Sequence, residues 1–273
     1  MLNNQQVMSA NSLEKSIIIN INDFNFIPAI KGNLMDFSKR EIITSSWNIL
    51  KPNLGLLVLA IVFIFALNLF LGIIQERLLE DVTFQSILFT GAAYLFQMGL
   101  NLGMLRICLN LIHNKEGEFH QLFGSFNLLI PYLMSSLFVI LILLAAASPG
   151  IALLLSSISV DFGTLPTIDS LEGVSMVIPL LIIFIPFVYI SLRLQFYDYY
   201  LVDEECGIID AVKKSAAITK GYVMELFLLG TVMSIIVLIS IIPLGAGLLI
   251  SIPLATMVNT YVYEKLKNIL KIN

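Results

Sequence analysis

Residues 208–250 read IIDAVKKSAAITK (208–220), GYVMELFLLGTVMSIIVLISII (221–242) and PLGAGLLI (243–250), and the rest of the chain is read outward from them. The first piece has the polar-faced periodicity of an amphipathic helix. It stops at Gly221, and an almost uncharged run long enough to cross a bilayer follows. An interfacial helix feeding a membrane span is therefore expected. A similar device occurs at 37–74, where Phe37, Ile42, Ile43, Ser46, Trp47 and Leu50 can share one helical face and Pro52 is expected to end the helix. Aligning 46–53 with 215–222 places Ser46 on Ser215, Ile49 on Ile218, Lys51 on Lys220 and a helix breaker on a helix breaker. Two readings stand: one unit used twice in parallel, or the generic look of an amphipathic helix before a membrane entry, with a lysine favoured at its C-terminus by the helix dipole.

Composition places the chain in the same class. Of its 273 residues 58% are hydrophobic and 12% charged, against about 25% charged in soluble domains, and the mean hydropathy is +0.92. The apolar runs leave no room for a separate catalytic domain. A formal net charge of −4 says little about partners. Cys108 and Cys206 give no disulfide framework and are expected as free thiols.

Because about 20 helical residues cross the ~30 Å hydrocarbon core, six spans are expected, at 54–74, 87–112, 127–147, 174–200, 222–242 and 248–266. Residues 1–36 lack the basic start and apolar core of a secretory signal. They read as a cytoplasmic tail, partly disordered, with a short extended piece at 17–21. Pro149-Gly150 is expected to stop the third span and leave a short extra segment at the outer face, in the 148–173 loop; 243–247 reads as a tight turn. With an inside N-terminus, fourteen of the fifteen basic residues fall on one side and only Arg77 on the other. This is the lysine and arginine bias of cytoplasmic loops. The expectation is an all-α polytopic bundle of six transmembrane helices plus two interfacial amphipathic helices in the cell inner membrane, both termini cytoplasmic, residues 37–273 forming one membrane domain.

Arg193, Phe196, Tyr200-Leu201-Val202-Asp203-Glu204, Ala211, Ser215, Thr219-Lys220-Gly221, Pro253, Tyr261-Val262-Tyr263 and the earlier stretch from Gly117 to Phe126 carry a resemblance. They look like the motif region of a largely uncharacterised group of bacterial membrane proteins related to the membrane domain of glycerophosphoryl diester phosphodiesterase. The likeness covers about 100–266 and departs where Ala216 replaces a usual large residue. It implies membership of a membrane family; phosphodiesterase activity would belong to a soluble barrel that this sequence does not contain.

Charged groups inside spans are costly and often functional, so Arg106 and Arg193 lead the candidates, with Asp198 and Glu225 as possible pairing partners. Each arginine lies about two turns from the cytoplasmic end of its helix. Two roles are open to it, snorkelling or structural pairing on the one hand and lipid-phosphate or ligand binding on the other. Trp47, Tyr197, Tyr200, Lys220 and Tyr261 read as interfacial anchors, Tyr200 within an aromatic belt that also holds Tyr199 and Tyr263. Asn68, Gln97 and Asn101 are expected to hydrogen-bond between helices or, alternatively, to line a permeation path. Gly99 and Gly103 form a Gly-x-x-x-Gly spacing for close packing within the bundle or across a dimer. The loop 113–120 holds both histidines without a metal-ligand spacing, and Asp203-Glu204-Glu205 is read as the acidic lead into the helix at 208. No catalytic arrangement, nucleotide fingerprint or nucleic-acid signal is visible. The expected function is a non-enzymatic membrane component, without cofactor or metal, that engages lipid headgroups or a partner protein at the cytoplasmic face, with a homo-oligomer possible; transport of a small amphiphile is the alternative.

Overall fold

The computed structural model describes residues 38–78, 84–157, 173–242 and 245–272. The tail at 1–37 with its expected extended piece, the segment 158–172 and Pro243-Leu244 lie outside the described residues. The elements are α1 (Lys39–Leu78), α2 (Phe84–Ile112), two 3-10 turns (Phe119–Phe123 and Phe126–Leu128), α3 (Leu129–Ser157), α4 (Gly173–Leu194), α5 (Tyr197–Glu204), α6 (Ile208–Ile218), α7 (Val223–Ile239) and α8 (Leu248–Ile272). Among the described residues there is no strand. Residues Lys39–Asn273 form one compact unit.

Two expected helix stops do not occur. α1 runs unbroken for 40 residues with Pro52 inside it, so 37–51 is not a separate interfacial helix but the first part of the element that carries the first span. Proline withholds the N–H that the carbonyl of residue 48 would accept; Asn48 and Pro52 are both exposed residues. Ile42, Ser46 and Leu50, all fully buried, recur one turn apart and continue the buried stripe to Leu57 and Ala60. α1 packs chiefly against α8 and α2.

α3 likewise continues through Pro149 to Ser157, and Ile151 to Leu155 belong to it rather than to an extra outer segment. Here the carbonyl freed by proline is that of Ala145, and the Ser148 hydroxyl donates to it at 2.8 Å. At Gly150 a Cβ would lie 2.5 Å from Ile183 Cγ1 and 2.9 Å from the Pro179 carbonyl. The missing side chain is thus what lets α3 and α4 cross closely. At 1.5 Å per residue, α3 is about 43 Å long, a length that a bilayer accommodates by tilt or protrusion.

The fourth apolar stretch is not one helix either: α4 ends at Leu194 and α5 begins at Tyr197. Between α6 and α7 the chain bends by 93° at Gly221, whose φ of +89° is cheap only for glycine. The two aligned segments therefore differ in shape at their breakers, because the helix continues through Pro52 and the chain turns sharply at Gly221.

Among the described residues four helical stretches are long and apolar enough to cross a membrane, Lys39–Glu76, Phe84–Ile112, Phe119–Ser156 and Val177–Glu204, and α6 with α7 supplies a fifth if the bent pair is counted as one span. α8 is more polar, carrying Glu264, Lys265 and Lys267 in its second half.

Exposure divides the long helices. On α2, Phe84, Ile87, Leu88, Tyr94 and Leu95 are exposed, whereas Leu100, Leu102, Met104, Leu105, Ile107, Cys108, Leu109 and Leu111 are buried. On α8, Leu249, Ile250 and Ile252 are exposed while Met257, Val258, Val262, Tyr263 and Leu266 are buried. On α1 the order reverses, with Ile42 and Leu50 buried and Phe65, Leu69, Phe70 and Ile73 exposed. Apolar surface on this scale is stable where the surrounding solvent is hydrocarbon. The protein consequently has a belt for the bilayer and, at one end, a head in which α1, α2 and α8 bury one another around Leu50, Leu57, Leu100, Ile107, Leu122 and Met257.

Candidate functional site

The polar residues of the head gather where α4 gives way to α5. The Phe196 N–H donates to the Ser215 hydroxyl oxygen at 3.0 Å, and the Arg193 carbonyl lies 3.2 Å from Ser215 Oγ and 3.0 Å from Thr219 Oγ1. The two hydroxyls, one turn apart on α6 and the residue that caps its C-terminus, satisfy the backbone groups that the break leaves without helical partners. That is a physical reason for the Ser215 and Thr219 spacing.

Held in this way, α5 presents Asp203 and Glu204 to α8 and α6. Lys267 of α8 reaches Asp203, and also Glu204 at 2.7 Å. The Tyr263 hydroxyl donates to Asp203 at 2.8 Å, and Lys214 of α6 donates to Glu204 at 2.6 Å. Burial by itself would lower the Lys267 pKa, but hydrogen bonds to Asp203 and Glu204 outweigh it and raise it above the usual lysine value. Lys214 is raised by its hydrogen bond to Glu204. Both lysines flank the Tyr200 ring, at 5.7 and 5.8 Å from its centroid.

Beside this network opens a cleft of about 410 Å³. Arg106, Leu109, Asn110 and His113 line it from the end of α2, with Lys115 just beyond; Val202, Asp203, Glu204 and Glu205 face them from the end of α5. Arg106 Nη2 pairs with Glu205 at 2.9 Å, and Nη1 donates to the Gly124 carbonyl at 3.0 Å. His113 Nε2 lies 3.2 Å from Glu264 of α8, and Asn110 donates to Gln121 at 3.0 Å. Two non-glycine residues adopt positive φ at the cleft's edges, Asn114 (φ +55°) and Glu205 (φ +47°). A guanidinium, an ammonium, an imidazole and an amide suit an anionic group. Among the described residues no His, Cys, Asp and Glu grouping could hold a metal ion.

Of the four candidate site residues, only Arg106 lines the cleft, and its partner is Glu205 rather than Glu225 or Asp198. Arg193 is half-buried and enters the network through its backbone carbonyl. Asp198 accepts the Tyr199 N–H at 2.9 Å, and Glu225 stands in the first turn of α7; neither takes part in an ion pair among the described residues. The expected anchors divide as well. Trp47 packs half-buried against the head core, Tyr197 stacks on Tyr132 at 6.0 Å, Lys220 is exposed and Tyr261 half-buried. Tyr200, 3% exposed, is a buried platform under two lysines and not a member of an interfacial belt. Tyr199 and Tyr263 are buried with it.

Gly99 and Gly103 do serve close packing, but against the 3-10 turns: a Cβ on Gly99 would meet the Phe126 ring at 2.6 Å, and one on Gly103 would overlap the Leu122 backbone. Cys108 and Cys206 are free thiols. Glu205 and Lys267 escaped the sequence reading as site residues. The only signal for Glu205 was its place at the end of three consecutive acids, a place equally explained by helix capping.

An all-helical body with a bilayer belt, and a charged head at one end of it, is a membrane-spanning helical protein. More narrowly, the chain belongs to the family described as Protein of unknown function (DUF975), whose model matches residues 35–269. No curated protein and no solved structure matches the chain, and these comparisons show no link to the membrane domain of glycerophosphoryl diester phosphodiesterase.

Proposed function

We propose that the protein is a non-enzymatic inner-membrane component that engages lipid headgroups, or a partner protein, at its cytoplasmic face. One observation carries the reading: the exposed apolar belt gives way to a head whose open cleft presents Arg106, His113 and Lys115. In this proposal the chain crosses six times, α8 supplying the sixth crossing, with both termini cytoplasmic and α6 lying among the headgroups with Ile209 exposed. The kinship with the phosphodiesterase-associated membrane domains is part of the same proposal and fits a membrane module without chemistry of its own. The test is anionic lipid retained through purification in a neutral detergent. Replacing Arg106→Gln together with Lys115→Gln should reduce it at least tenfold, since a charge-assisted bond contributes roughly 1.5–3 kcal/mol; unchanged retention removes the lipid version. The alternative, transport of a small amphiphile, needs a cavity shared by Asn68, Gln97 and Asn101; the cleft is lined by none of them, and Asn68 donates to Ile64 of its own helix at 2.9 Å.

A further inference from the structure

The three acids that line the cleft are not held alike. Asp203 is bound by Lys267 and Tyr263, and Glu204 by Lys267 and Lys214. Their side chains are 13% and 28% exposed. Glu205 is 57% exposed and makes one ion pair, with Arg106. It also ends α5 in the left-handed region, at φ +47°, the position where helices most often place glycine. A residue in a disfavoured backbone conformation at the mouth of a cleft, with its carboxylate on the cleft's arginine, has the character of a stand-in for a ligand.

We propose that the cleft is a binding site for a phosphate group, in whose place the protein's own Glu205 carboxylate holds Arg106. The guanidinium does not depend on Glu205 for its place, because Nη1 is bonded to the Gly124 carbonyl. When the Glu205 side chain moves into solvent, Nη2 is freed while the group stays oriented. Lys115, which makes no ion pair among the described residues, and the half-buried His113 line the same cleft. The acids that face them across the cleft, Asp203 and Glu204, are already matched by Lys267 and Lys214, and Glu264 is held by His113. An incoming phosphate would therefore meet the freed Arg106 Nη2 and a lysine, beside carboxylates that already have partners. The shared chemistry is a phosphate anion, from a lipid headgroup or from free phosphate. The inference rests on the headgroup reading for its lipid source alone, and the phosphate site itself stands on the cleft.

The experiment titrates the full chain in maltoside with inorganic phosphate by calorimetry, and with short-chain phosphatidylglycerol by native mass spectrometry. Glu205→Gln should bind on the order of twofold to fivefold more tightly than the unsubstituted protein, since it removes an internal competitor of surface ion-pair strength. Arg106→Gln should lose most of the binding, and Lys115→Gln, which breaks no ion pair or side-chain hydrogen bond among the described residues, should weaken it. The same order with inorganic phosphate supports a soluble phosphate ligand; the order seen only with phosphatidylglycerol supports the headgroup. In the first case the phosphate site stands although the lipid reading falls. If Glu205→Gln binds no more tightly than the unsubstituted protein in either arm, or if nothing binds in either, the inference is overturned and the Arg106 to Glu205 contact is only a tie between α2 and α5.

Discussion

At Gly103 one absent methyl group sets how near the 3-10 turns come to α2. A Cβ there would lie 2.6 Å from Leu122 Cα and overlap the Leu122 carbonyl, whereas a Cβ on Gly99 would meet ring atoms of Phe126. A ring can rotate away; a backbone cannot without moving the turn. Gly103→Ala should cost about 2 kcal/mol or more and Gly99→Ala clearly less, read as thermal unfolding in detergent; equal losses would contradict the geometry. The spacing of the two glycines was legible in the sequence as a sign of close approach. What approaches was not, because a 3-10 turn and a second helix place the same demand on the glycine. Arg106 was legible for a related reason: a charge inside an apolar run stands out. Its partner Glu205, 99 residues away, carries no mark that points back to it.

Among the elements, helix content and placement could be read from apolar runs of about 20 residues, but several ends could not. Pro52 and Pro149 lie inside α1 and α3, the first at an exposed stretch of its helix and the second with the Ser148 hydroxyl donating to the carbonyl it frees at Ala145. Gly221 does end its helix, at φ +89° and a bend of 93°. The two positions aligned in the sequence should accordingly respond in opposite ways. Pro52→Ala restores a helical N–H inside a continuous helix and should leave stability unchanged or raise it. Gly221→Ala forces a side chain into the left-handed region and should lower stability by about 1–2 kcal/mol. Chemical denaturation of the two variants decides this, and a destabilised Pro52→Ala with a neutral Gly221→Ala would reverse the account. The opposite behaviour of the pair also argues against reading 46–53 and 215–222 as two copies of one structural unit.

On the scale of the whole molecule, the charge partition and the burial of the two thiols combine into a topology test. Cys108 is fully buried in the head core and Cys206 half-buried beside Tyr200, whose carbonyl it contacts at 3.6 Å. A membrane-impermeant maleimide should label Cys206 in inverted vesicles, spare it in right-side-out cells and leave Cys108 unmodified in both. Burial pushes the Cys206 thiol above its usual pKa, so less of it is thiolate at neutral pH and labelling should speed up as pH rises. Labelling from the outside would invert the proposed orientation.

By itself, the sequence determined that this is a helical membrane protein, roughly where its apolar helices run and on which ends its lysines and arginines collect, since length, hydropathy and charge are properties of contiguous residues. Only the tertiary structure decided that the second half of α2 is buried by protein instead of lipid, that polar α8 completes a head with α1 and α2, and that Arg106 faces Glu205 across a cleft. Apolar residues look alike in a sequence whether lipid or protein covers them. The contacts that build the head, Asp203 with Tyr263 and with Lys267, join residues 60 and 64 positions apart. Pairings at that range exist only once the helices have packed.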